Sequence, residues 1–148
     1  MGNRATITIA PFDKKNACIY VHWNGGRESV EAFCKAAHDL GYRSPESDPA
    51  YALARLTGLI ATCFGIDDDT SIGVGTVDEL IDAGDDNGCY VIGGRWHVVE
   101  RRDCGGQVFK DTFVTDDDVS AAAASIVEEI QAAAGAVKAL RSERCKAA

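Results

Sequence analysis

His22-Trp23-Asn24-Gly25-Gly26-Arg27-Glu28-Ser29 is the stretch on which the rest of the chain turns. Before it, Ala17 to Trp23 alternates, with Cys18, Tyr20 and His22 opposed to Ile19, Val21 and Trp23. That is the period of a strand. After it, Val30, Phe33, Ala37 and Leu40 recur at helical spacing, and Gly41 suits the left-handed position that ends a helix. The sequence thus predicts a strand, a glycine turn and a helix from about Glu28 to Leu40.

Towards the N-terminus, Ala5, Ile7 and Ile9 alternate with Thr6 and Thr8, a half-buried strand. The short polar link Pro11 to Asn16 makes it a hairpin with the next strand. Towards the C-terminus, Asp48-Pro49 is a helix start, a capping carboxylate followed by proline in the first turn. This second helix carries Leu53, Leu56, Ile60, Cys63 and Phe64 on one stripe and ends at Gly65. Ser71 to Val77 reads as a strand, and Asp78 to Gly88 as a polar link with room for one helical turn. Cys89 to Ile92, Gly93-Gly94 and Arg95 to Arg101 read as a second hairpin, and Gln107 to Val114 as a further short strand. Asp116-Asp117-Asp118 opens a long final helix, with Lys138, Arg141 and Arg144 near its end; both charge sets suit the helix dipole. Val119, Ala123, Ile126, Ile130, Ala133, Val137 and Leu140 form a heptad-like seam along it.

The order strand, strand, helix, helix, strand, strand, strand, helix is not a βαβ alternation. It predicts an α+β domain over residues 1–148: a mainly antiparallel sheet, two consecutive helices packed on it, and a long C-terminal helix at 116–146. That helix is long for a domain of this size, so oligomer contacts are expected of it. Packing across its own sheet is the alternative.

Composition narrows the function. An apolar fraction of 46% in 148 residues suffices for a packed core. Fifteen basic against 23 acidic residues give a net charge of −8, which disfavours binding to a nucleic-acid polymer. No apolar run is long enough to span a membrane, and Met1-Gly2-Asn3-Arg4 lacks the apolar segment of a signal peptide. Cys18, Cys34, Cys63, Cys89, Cys104 and Cys145 contain no C-x-x-C pair and are expected as reduced thiols in the cytoplasm.

No G-x-S-x-G, H-E-x-x-H or cysteine-nucleophile signature is present, and His22, His38 and His97 are isolated. No catalytic residue, metal site or cofactor is predicted. Asp67-Asp68-Asp69, the acids around Asp82 to Asn87, and Asp116-Asp117-Asp118 lack the spacing of a calcium loop. Anion holding is the remaining chemistry. Asn24, Gly25, Gly26 and Arg27 precede a helix, where glycine-freed amides, the helix dipole and a guanidinium can cradle phosphate. A plain strand-to-helix turn that needs glycine explains the same residues. Asn87 before Tyr90, and Arg101-Arg102 after Trp96, can complete a pocket in which Trp23, Tyr90 or Trp96 stacks a base. Turn chemistry and core packing are the plainer readings of each. Together, Trp23, Asn24, Gly25, Gly26, Arg27, Asn87, Tyr90, Arg101 and Arg102 are the predicted ligand set for a small phosphorylated nucleotide.

Several blocks resemble a known family. They are Met1-Gly2-Asn3-Arg4-Ala5, His22 through Phe33, Ala54-Arg55-Leu56, Phe64-Gly65 with Ser71-Ile72-Gly73, and Asp86-Asn87-Gly88 with Tyr90-Val91-Ile92. This pattern is similar to the first type of Thoeris anti-defence protein of phages and prophages. The alanine-rich final helix lies outside the resemblance. The resemblance implies a non-catalytic, homo-oligomeric sponge that sequesters cyclic ADP-ribose isomers, and in some members cyclic oligonucleotides. It assigns no single ligand residue here. A rival reading is an acidic inhibitor of a basic defence protein, such as a CRISPR or restriction complex, with the Asp runs as phosphate mimics. A third is a small hydrolase or cyclase using His22 or His97. A sponge calls for a basic pocket inside an acidic shell; a mimic calls for a carboxylate stripe.

Overall fold

The first strand in the chain, Ala5–Ile9, lies at the centre of the sheet and is buried on both faces. A computed structural model describes residues 2–63, 72–84, 86–108 and 115–146, with side chains to Glu143. The elements are β1 (Ala5–Ile9), β2 (Ala17–Val21), α1 (Arg27–Asp39), α2 (Pro49–Cys63), β3 (Ile72–Thr76), α3 (Val77–Leu80), β4 (Cys89–Gly93), β5 (His97–Arg102) and α4 (Asp116–Lys146). A 3₁₀ turn at Asp82–Gly84 joins α3 to β4. The sheet order is β3-β2-β1-β4-β5. Three pairings are antiparallel and one, β1 with β4, is parallel. The α+β reading and its mainly antiparallel sheet therefore stand. The parallel centre was not anticipated.

Ala5, Ile7, Ile9, Ile19, Val21, Tyr90 and Ile92 face a core shared with α1, α2 and the first half of α4. Thr6, Thr8, Cys18 and Cys89 lie on the opposite face. There Cys18 and Cys89 pack with Val77 and Ile81, edged by Phe12 and Leu80. Every residue of β1 is buried, so the half-buried strand expected from its alternation is corrected. The short α3 segment and the turn after it close the threonine face.

Local chemistry sets the helix ends. Asp48 Oδ1 accepts the Tyr51 amide at 3.2 Å, the capping role its place before Pro49 implied. α1 ends in a Schellman motif: Tyr42 N–H donates to the Ala37 carbonyl and Gly41 N–H to that of His38. Gly41 has φ 72°, a left-handed value that glycine adopts without strain. Thr76 and Glu79 form a capping box on α3, which begins at Val77, so the strand expected to run to Val77 ends at Thr76 and the helix runs on into the expected polar link.

α4 has 31 residues. Ala123 is buried, and Ala122, Ile126, Val127 and Ile130 pack against the core. Beyond Ile130 nearly every side chain is exposed, including Val137 (47%) and Leu140 (61%). The first half of the seam thus packs on its own domain. Of the strand expected over Gln107 to Val114, an isolated bridge of Val108 to Arg102 is described, and 109–114 lie outside the described residues. Asp67-Asp68-Asp69 also lie outside them. No helix among the described residues is long and apolar enough to cross a membrane.

Candidate functional site

The turn between β2 and α1 is held against the start of β1. Asn3 N–H donates to the His22 carbonyl at 3.1 Å, and Gly25 N–H to the Asn3 carbonyl at 2.7 Å. Asn24 is left-handed at φ 58°. A Cβ at Gly25 would lie 2.6 Å from the Asn3 carbonyl oxygen and 2.7 Å from Ala5 Cβ. Glycine is required there by close backbone approach, and its amide is already used. Gly26 caps α1 with extended geometry and no side-chain cap. The part of the loop that could hold an anion is therefore the uncapped first turn of α1, beside the Asn3 side chain.

Arg27 is not the bare guanidinium expected. Its Nε and Nη2 donate to Glu31 Oε1 at 2.8 and 2.5 Å. The two side chains are 21% and 20% exposed. An i,i+4 pair of this kind contributes about 0.3–0.5 kcal/mol near a surface. So small a term biases Arg27 towards Glu31 without locking it away from a doubly charged phosphate.

Asn87, Tyr90 and Arg101 lie together, but Tyr90 is fully buried with Arg101 over its ring, so the base-stacking role expected of it is corrected. Tyr90 and Arg101 are cross-strand partners. The Arg101 guanidinium lies over the Tyr90 ring, 5.0 Å from its centroid. Arg101 Nε donates to the Asn87 carbonyl at 2.6 Å, and Nη2 to Asn87 Oδ1 at 3.4 Å. Asn87 Nδ2 donates to Asn3 Oδ1 at 2.5 Å and to the Arg4 carbonyl at 3.0 Å. Tyr90 is fully buried, and its hydroxyl has no hydrogen-bond partner among the described residues. Burial pushes its phenol pKa up, Arg101 and Arg27 pull it down, and Glu31 raises it. All three charged side chains therefore act on this one hydroxyl. Leaving it unpaired costs about 1–3 kcal/mol, which a ligand atom or an ordered water reaching it would offset.

Other predicted members lie elsewhere. Arg102 points to the opposite face from Arg101, as strand alternation demands. Its Nε donates to Glu100 at 2.6 Å, its Nη1 to the Gly106 carbonyl at 2.6 Å, and it covers the Phe12 ring. Its expected share in the phosphate pocket is corrected on that ground. Trp96 is buried and its indole N–H donates to the Tyr42 carbonyl, so it is a core residue and not a stacking platform. Trp23 is 46% exposed, edge-on to His22. The Tyr20 hydroxyl bonds His22 Nδ1 at 2.9 Å.

Asn3, Arg4 and Glu31 shape the site without having been predicted, and Asp86, expected with Asn87 near the glycine loop, joins them. Glu31 carried a signal, four residues after Arg27 on a helix; Asn3 and Arg4 carried none. Arg4 grips Asp86 through Nε, Nη2 and its backbone N–H at 2.9, 3.1 and 3.0 Å. That holds the Asp86 pKa down at about 2. The carboxylate stripe of the mimic reading loses Asp86 to this pair, and Asp118 to the Thr115 hydroxyl. Among the described residues no cluster of His, Cys, Asp or Glu has the make-up of a metal site.

Comparison with known protein families, curated proteins and solved structures finds no match.

Proposed function

We propose that this protein is a non-catalytic binder that sequesters a cyclic nucleotide signal, a cyclic ADP-ribose isomer or a cyclic oligonucleotide. In that role it acts as a phage or prophage anti-defence protein in the host cytoplasm, as a homo-oligomer. The observation that carries the reading is the Asn87–Arg101–Tyr90 cluster, in which the Arg101 guanidinium lies over the ring of a buried tyrosine whose hydroxyl has no partner among the described residues, joined through Asn3 to the uncapped start of α1. Such a cluster suits a guest that brings both charge and hydrogen-bonding atoms. The sequence resemblance supplies the class of guest.

In this reading the diphosphate meets Arg101, Arg27 and the first amides of α1, while Asn87 holds a polar edge. Arg101 takes the leading part, because Arg27 shares its charge with Glu31. Isothermal titration with cyclic ADP-ribose isomers and cyclic trinucleotides tests this. Tight binding without turnover is expected for one of them, and intact ligand should be recovered after heat denaturation. Arg101→Ala should weaken binding by about a hundredfold, the loss of roughly two charge-assisted hydrogen bonds, and Arg27→Ala by less. Absence of binding by the whole panel, or an Arg101→Ala protein that binds like the parent, would overturn it.

A further inference from the structure

A second basic site lies well away from the β2–α1 turn. An open groove of about 580 Å³ lies between α2 and the exposed half of α4. Its floor is apolar: Leu40, Leu59, Ile130 and Val137. Its walls carry Arg55, Lys138 and Arg141, and among the described residues no carboxylate lines it. In a chain of net charge −8, three cations gathered around one groove are a local reversal of sign. None of the three forms an ion pair with a described carboxylate.

Arg55 is also held in place. Its Nε donates to the Tyr51 hydroxyl at 2.9 Å. Its guanidinium lies 5.3 Å from the ring centroids of both Tyr42 and Tyr51. Tyr42 itself lines the groove, so an aromatic face and a fixed guanidinium stand side by side. Gly58, in the same wall, has open space where a Cβ would be, which lets a flat group approach the α2 backbone. Fixing a guanidinium before binding lowers the ordering cost of using it.

We propose that the α2–α4 groove is a separate binding site for an organic phosphate with a planar ring, the phosphate on Arg55, Lys138 and Arg141 and the ring over the apolar floor beside Tyr42. The size falls within the range of small-ligand sites, and the mix of apolar floor and convergent cations is what such a molecule needs. The site is distinct from the Asn87–Arg101 cluster and stands whether or not that cluster binds a nucleotide.

The test is a two-dimensional amide NMR titration of the full chain with ADP, inorganic diphosphate and adenosine. ADP should shift the amides of Gly58, Thr62, Gln131 and Ala134 at lower concentration than either fragment. Arg55→Ala and Arg141→Ala should each raise the ADP concentration needed by about tenfold, the loss of one charged contact. Arg101→Ala should leave these shifts in place, which separates this site from the first. No response at those amides, a response unchanged in both arginine variants, or a response that follows protein concentration alone, as for a second copy in the groove, would overturn the proposal.

Discussion

At the scale of single residues, what distinguishes the candidate site is which polar groups are already spent. Gly25 gives its amide to Asn3, Arg27 leans on Glu31, and Asn87 is held from both sides by Asn3 and Arg101. Beside them the Tyr90 hydroxyl is buried and has no partner among the described residues. Residue types foretold Arg101, Asn87 and Tyr90, because a strand arginine near an Asn-Gly turn is a recognisable neighbour. They did not foretell Asn3, whose importance comes from a partner 84 positions away. The Arg4–Asp86 pair offers a pH test. The Asp86 pKa is lowered from 3.8 to about 2 by its bonds to Arg4, so the folded state favours the ionised form. That stabilisation is present above the ordinary carboxylate pKa and is lost as pH falls from about 4 to about 2. Asp86→Asn should therefore lower the urea midpoint near neutral pH. The gap from the parent protein should close over that acid window. A gap that is the same at both ends would show that Asp86 contributes through shape and not through charge.

At the scale of elements, the signals that worked were those in which one residue type meets one geometric need. Asp48 before Pro49, Gly41 after Leu40 and the strand alternation in β2 all placed their elements within a residue or two. Alternation also separated Arg101 from Arg102, and the pairing of the two in one pocket failed because it ignored that period of two. α3 was anticipated as one helical turn in the polar link, but its start at Val77 was not, because a four-residue helix has too little pattern to fix its bounds; its capping box was the available signal. The cap on α2 can be measured. Asp48→Ala should cost about 1 kcal/mol of unfolding free energy, and Asp48→Asn should cost a few tenths, since an amide oxygen can still accept the Tyr51 N–H. Urea denaturation near neutral pH reads both. Equal losses in the two variants would assign the effect to the exposed Arg43–Asp48 ion pair instead of the cap.

At the scale of the whole molecule, local pattern runs out. β1 and β4 pair in parallel across 83 positions of chain, as Thr6 opposite Cys89 shows, and no periodicity in either strand specifies the other as its neighbour. The basic α2–α4 groove was hidden for the same reason, since Arg55 and Arg141 are far apart in sequence. The long final helix was legible as a helix, but its division was not. Its seam packs on α1 and α2 as far as Ile130 and then leaves the domain behind. A solvated, alanine-rich half-helix has little to hold it by itself, because most helical stability in proteins comes from packing. Leu140, 61% exposed and outside the groove lining, stands beside the exposed Ala132, Ala136 and Ala139. Those small residues allow the backbone of a second copy to come close along that side while the groove stays open. Self-association through this face should appear in sedimentation velocity as a mass above 15.7 kDa that falls on dilution. Leu140→Asp should shift the protein towards the monomer by about tenfold or more in concentration, because a carboxylate buried without a partner in such a contact costs more than the leucine contributed. Its circular dichroism below the dissociation point should match that of the parent. A parent protein that sediments as a monomer at every concentration, or a Leu140→Asp variant that associates equally well, would leave the projecting half of α4 without a role in assembly.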